Sequence, residues 1–197
     1  MSNKLLLAAL LLLCLPTASY PTLAADERGE YFSKKQYVPT PLPTFAENRD
    51  KLPKPVLEDS AGWVDMYYKA WELAFDHMRT PAQSSPFVSS WYDEAFDDNI
   101  YQWDIIFMTM FGRYAHHIFP GIQSLDNFYC RQHTSGAISR TISESTGADM
   151  FGEDNSNCIN PPLFSWAEVE NFRLTGDTSR FAAVLPVLEK YYEFVRS

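Results

Sequence analysis

Residues Tyr101 to Gly112 read YQWDIIFMTMFG. An aromatic, an amide, a tryptophan and an aspartate introduce an apolar run. The run predicts a helix that begins near Trp103 and continues to about His116. Its start has two readings. Asp104 in a first helical turn stabilises the helix dipole, with Trp103 bound for the core. Alternatively, Trp103 and Asp104 are displayed together at the mouth of a binding site. The residues on either side bear on the choice.

Upstream, Ala61 to Met78 (AGWVDMYYKAWELAFDHM) predicts a strong helix. Trp63, Tyr67, Ala70, Trp71, Ala74 and Met78 recur at helical spacing, and Met66 and Leu73 widen the stripe. Ser60 or Asp59 can cap its start, and Thr80-Pro81 ends it. A long connection follows over residues 80–102; in a compact domain such loops are usually functional.

Downstream, a third helix is expected over about Ile122 to Gln132. Ile138 to Ile142 alternates like a short strand inside the polar loop His133 to Pro162. A fourth helix is expected from about Pro162 to Leu174, and Gly176 suits the left-handed position that closes a helix. A last helical region spans Thr178 to Val195. Its apolar positions are Phe181, Val184, Leu185, Leu188, Tyr192 and Val195, and Pro186 inside it predicts a break or kink. The resulting expectation is an all-α architecture of helical hairpins with long loops and room for one short β-hairpin.

The first residues read as a signal peptide over 1–24. Lys4 precedes the apolar run Leu5 to Leu15, Pro16 breaks it, and Thr22-Leu23-Ala24 offers a cleavage site. The run is too short to anchor in a bilayer, and Leu13 stands where a lipoprotein signal ending at Cys14 would need a small residue. Without these residues the chain carries 15 basic and 25 acidic residues, a net charge of −10. That argues against nucleic-acid and anionic-membrane partners and fits a soluble protein exported to the periplasm or beyond the cell. Residues 25–58 form an extended, proline-rich lead-in, with the domain over 59–197.

Cys130 and Cys158 remain. In an oxidising compartment they either bridge or stay as two buried thiols.

No GxSxG, GxxxxGK[ST] or GxGxxG pattern occurs. His77, His116, His117 and His133 form no HExxH, and adjacent His116 and His117 cannot share a helix face. The acidic residues Asp93, Glu94, Asp97 and Asp98 precede the second helix, where negative charge favours its N-terminus. The loop Glu153-Asp154-Asn155-Ser156-Asn157 is oxygen-rich enough for calcium but lacks the ordered spacing of a calcium loop. No other cofactor is expected.

Carbohydrate sites pair aromatic faces with carboxylates and amides that take sugar hydroxyls. Trp91-Tyr92-Asp93, Tyr101-Gln102-Trp103-Asp104 and Asn160-Pro161-Pro162 carry such residues. Three features in order carry a family resemblance: Trp103-Asp104 before an apolar helix, Gly136 and Arg140 in the next loop, and NPPLFSWAEVENFRLTGD at Asn160 to Asp177. Together they resemble the first part of a six-hairpin (α/α)6 glycosidase, in the glycoside hydrolase family 63 and mannosylglycerate-hydrolase-like group. The resemblance runs from about Gly62 to the C-terminus.

It implies a partial (α/α)6 toroid and an O-glycosyl hydrolase, inverting in its chemistry. Trp103 and Asp104 would line the −1 sugar subsite, with Asn160 and Tyr101 also facing substrate. Asn160 could equally cap the helix after it. Inverting hydrolysis uses two carboxyl groups, and the group carries both further downstream. The resemblance therefore implies no catalytic residue in this chain, which is expected to be the N-terminal fragment of a longer enzyme. The competing expectations are a non-catalytic carbohydrate-binding helical protein and an exported scaffold without ligand.

Overall fold

The computed structural model describes residues 27–94 and 97–197. The expected signal peptide over 1–24, with Lys4 and Cys14, lies outside the described residues.

The lead-in is tied down along its length. Gly29 N–H donates to the Gln132 carbonyl at 2.7 Å, Arg28 pairs with Asp149 at 2.7 Å, and Phe32 packs edge-on against Tyr129. A short helix α1 (Phe45–Asn48) is capped by Thr44, whose hydroxyl accepts from the Glu47 N–H. The helix α2 spans Ala61–Asp76 and buries Trp71, Ala74 and Phe75, while Trp63 stays 66% exposed.

The connection after α2 is not structureless. Strand β1 (Met78–Arg79) pairs antiparallel with β2 (Trp91–Tyr92), and β3 (Asn99–Tyr101) pairs antiparallel with β4 (Thr141–Ser143). With 45% of residues helical, 7% in strands and two small sheets, the chain is mixed rather than all-α. The expectation of an all-α toroid is therefore overturned. Strands of two or three residues are too short to show the alternation that reveals a strand in sequence.

Helix α3 (Gln102–Gly112) continues directly from β3. It buries Ile105 and Ile106 completely, and full burial of such a side chain contributes about 1.5–3 kcal/mol. The expected third helix is mostly a 3₁₀ segment, Gly121–Leu125, followed by one turn, α4 (Asp126–Tyr129). Leu125, Phe128 and Tyr129 there are fully buried beside Ile100, Ile138 and Ile142. A second cluster joins Trp71, Phe75 and Met78 to Tyr92 and Phe119.

Helix α5 spans Phe164–Thr175 and ends on Gly176 at φ 71°, as its position predicts. The Thr-Gly-Asp element is a stop and a restart. Thr175 Oγ1 donates back to the Asn171 carbonyl at 2.9 Å, and Asp177 Oδ1 accepts from the Ser179 N–H at 2.8 Å. Helix α6 (Ser179–Arg196) then runs through Pro186 without the expected break. Its buried face is Val184, Val187 and Tyr191; Leu185 and Tyr192 of the expected stripe are 55% and 56% exposed.

Arg180 on α6 reaches Glu168 at 2.8 Å and Asp126 at 2.9 Å, locking α6 to α5 and α4. Cys130 and Cys158 are both buried and do not bridge each other. Their thiols donate to the carbonyls of Asn127 at 3.3 Å and Glu153 at 3.7 Å.

Candidate functional site

The start of α3 is positioned by the residue before Trp103. Gln102 is fully buried, and its N–H donates to the Arg140 carbonyl at 2.8 Å, extending the β3–β4 ladder by one step. Its side-chain amide donates to Tyr191 Oη at 3.1 Å, and Tyr191 Oη donates to the Asn160 carbonyl at 3.1 Å. One tyrosine from α6 therefore joins the first turn of α3 to the loop before α5. With Gln102 turned inward, the next two residues face out: Trp103 is 41% exposed and Asp104 is half-buried.

These residues border a cleft of about 650 Å³ lined by Asp97, Asn99, Tyr101, Trp103, Asp104, Arg140, Thr141, Met150, Phe151 and Asn160. The expected residues Tyr101, Trp103, Asp104 and Asn160 thus meet around one space, together with Arg140 of the resemblance. Asp104 stands in the first turn of α3 and also on the cleft wall. Asn160 does not cap a helix, because α5 begins at Phe164 with Leu163 at its cap.

Gly136 is not among the lining residues. Its φ of +98° and a backbone carbonyl of Lys190 only 2.3 Å from where a Cβ would stand give it a packing role against α6.

The cleft is polar and charged. Arg140 stacks its guanidinium over Phe151 at 4.2 Å from the ring centre. Tyr101 Oη donates to Asp97 at 2.9 Å. Hydrogen bonds from Asn99 and then Tyr101 hold the Asp97 carboxyl below its ordinary range, and Asp97 in turn raises the Tyr101 phenol. Aromatic faces, carboxylates, an amide and a guanidinium around one opening form a set that can take a polyhydroxylated ligand.

The acidic run before α3 does not act as a cluster at a helix end. Asp93 is buried and pairs with Arg79 at 3.2 Å. Asp97 serves Asn99 and Tyr101, and the Asp98 carbonyl accepts from the Glu144 N–H at 3.0 Å. Strand β3 separates these residues from the helix, so their partners are local rather than the dipole.

Glu153 of the oxygen-rich loop accepts from Ser135 Oγ at 2.5 Å. Among the described residues no group of three or more His, Cys, Asp or Glu could hold a metal ion. His133 pairs with Asp149 at 2.6 Å, and His116 and His117 bond to the carbonyls of Arg113 and Lys51.

Sequence reasoning missed Asn99 and Phe151 on the cleft wall and Tyr191 behind it. It grouped Gln102 with the sugar-facing residues, whereas the side chain is fully buried and supports the cleft from behind. Its partner Tyr191 lies 89 residues away and has no local signature.

No family model matches the chain, and no solved structure matches it. An uncharacterized protein of Borreliella burgdorferi is similar, 29% identical over 152 residues, which is 76% of this chain and 31% of that protein. The chain thus spans about a third of the length of that relative. Among the described residues no helix is long and apolar enough to cross a membrane.

Proposed function

We propose that this chain is the sugar-binding part of an exported glycoside hydrolase acting on α-linked glycosides or oligosaccharides. The observation that carries the reading is the convergence of Tyr101, Trp103, Asp104, Arg140 and Asn160 on one cleft. They come from three segments separated by 36 residues or more in the case of α3 and Arg140. In this reading Trp103 lies against the apolar face of a pyranose ring. Asp104 accepts from sugar hydroxyls, Arg140 donates to them, and the Asn160 amide does both. The resemblance assigns the two carboxyl groups of hydrolysis to neither of these acceptors, so the proposed role of Asp104 is binding. The length of the Borreliella burgdorferi relative is compatible with a larger enzyme to which such a part belongs.

A non-catalytic carbohydrate-binding protein would use the same cleft. Because the resemblance implies no catalytic residue in this chain, release of reducing ends from α-linked oligosaccharides by a longer protein that carries it separates the two readings, since only the hydrolase cleaves them.

Binding to a glycan array tests what both share. Trp103→Ala and Asp104→Ala are each expected to weaken binding by about tenfold or more, the effect of about 1.4 kcal/mol. Undiminished glycan binding by both variants, or no binding by the unaltered chain, overturns the proposal.

A further inference from the structure

Asp149 and Glu153 bracket residues 150–152, and Met150 and Phe151 of that segment form one wall of the cleft. Both carboxylates meet one side chain that is not itself on the cleft wall. His133 Nε2 lies 2.6 Å from Asp149, and His133 Nδ1 lies 3.7 Å from Glu153. His133 is anchored in a turn. Its N–H donates to the Ala137 carbonyl and its carbonyl accepts from the Gly136 N–H, both at 2.9 Å.

The two ends of the segment are held differently. Asp149 has a second partner, Arg28 at 2.7 Å, and the Met150 N–H donates to the Thr141 carbonyl at 3.0 Å. The Glu153 side chain meets Ser135 Oγ and His133. Beside it the Asn155 N–H donates to the Gly152 carbonyl at 2.9 Å, and Gly152 has nothing within 4 Å of where a Cβ would stand. The Glu153 end is the weaker one.

Protonation decides what His133 does at that end. A carboxylate is an acceptor only, so the 2.6 Å contact with Asp149 places a proton on Nε2. A neutral imidazole then turns a bare nitrogen lone pair toward the Glu153 carboxylate and does not attract it. An imidazolium carries a second N–H and a positive charge on that side, and does. Imidazoles exchange these forms between about pH 5 and 8. Arg140, stacked over Phe151, carries the state of the segment into the cleft.

We propose that His133 is a proton-operated pin on the cleft wall. Charged, it draws in Glu153 and fixes residues 150–153; neutral, it holds Asp149 alone and lets the Glu153 end open. His133 is thus a positioning residue that acts on Phe151 and Arg140 through the two carboxylates. The inference concerns the wall whatever ligand the cleft takes, so it does not rest on the sugar-binding reading.

The test is amide hydrogen exchange of the full chain, followed by NMR at about pH 5.5 and about pH 7.5. Each rate is expressed relative to that of an unstructured amide, which removes the pH dependence of exchange itself. Protection of the Asn155 amide is expected to fall about fivefold as the pH rises, the scale of a partly exposed ion pair. The Met150 amide, at the Asp149 end, is expected to stay within about twofold. His133→Gln can donate to Asp149 but carries no charge, and is expected to show equal Asn155 protection at both pH values. Glu153→Gln keeps an acceptor for Ser135 and loses the charge, and is expected to bring the change at Asn155 within about twofold. Arg28, Asp149, Glu153, Arg140 and the Cys158 thiol surround the position. His133→Gln isolates the contribution of His133 from theirs.

Asn155 protection that does not change with pH in the unaltered chain overturns the pin. So does a change shared equally by Met150, which reports a general loosening. A change that persists in His133→Gln also overturns it and assigns the effect to another group, such as Glu144, which titrates in the same interval. If His133→Gln does not fold, an undiminished effect in Glu153→Gln overturns the proposal in its place. All of these outcomes leave the sugar-binding reading standing.

Discussion

Glu144 shows how a single side chain ties stability to pH. It follows β4 and lies against Asp93. Burial, with the repulsion of Asp93 next, pushes its carboxyl from 4.5 up to about 7. A raised carboxyl favours the protonated folded state. The stability it contributes is present below about 4.5 and is lost as the pH rises through about 7. The side chain is partly open to solvent, which reduces the size of the effect. The urea midpoint of the unaltered chain is expected to fall over that interval, and the fall is expected to be smaller in Glu144→Gln. An equal fall in both would show that Glu144 stays at its ordinary value. At the same scale, Trp103 and Asp104 could be picked out by residue type and position. His133 could not, because only the folded loop brings Asp149 and Glu153 to its two ring nitrogens.

At the scale of elements, the loop between α4 and β4 is held by contact with α6 rather than by its own regular structure. Gly136 sits at φ +98° with the Lys190 carbonyl against it. Gly136→Ala forces both a strained backbone and a displaced helix, with an expected destabilisation on the order of 3 kcal/mol by urea denaturation. Gly62 is the control. It lies in α2 with nothing within 4 Å of its would-be Cβ, so Gly62→Ala is expected to stabilise the chain by about 0.5–1 kcal/mol. Equal losses at the two positions would remove the packing argument.

The long amphipathic helices were legible for a related reason. Spacing and end signals place α2, α3, α5 and α6 to within a few residues, because each is long enough for its period to register. Of the four strands only β4 had a sequence signal, the alternation over Ile138 to Ile142 that overlaps Thr141–Ser143; the β1–β2 and β3–β4 pairings were not legible, because their stability comes from partners 12 or more residues distant rather than from a local pattern.

Across the whole molecule, the notable property is how much apolar surface stays open. One groove of about 380 Å³ is lined by Pro53, Tyr67, Ala70, Trp71, Phe111 and Tyr114. A second, of about 480 Å³, lies between α5 and α6 around Val169, Leu185, Leu188 and Tyr192. Exposed Phe107 and Trp166 touch edge to face between α3 and α5. Patches of this kind bind apolar dyes and promote association. The folded chain is expected to enhance the fluorescence of an anilinonaphthalene sulfonate dye before any denaturant is added, and to associate as its concentration rises in light scattering. A dye-silent monomer would show that these grooves close in solution.

The sequence by itself determined the helices that carry a long apolar period, the acidic balance of the chain, and the residue types around Trp103-Asp104 and Asn160. These follow from local spacing, end chemistry and charge, which need no knowledge of distant neighbours. Only the tertiary structure decided that the chain is mixed rather than all-α, and that α6 buries Val187 and Tyr191 rather than Leu185 and Tyr192. It also decided that Tyr191 joins Gln102 to Asn160, so that the two ends of the candidate site face one cleft. Pairing of short strands, the choice among possible helix faces and the desolvation of a carboxyl all depend on which surfaces meet. Those encounters are made by packing across the chain and leave no periodic trace along it.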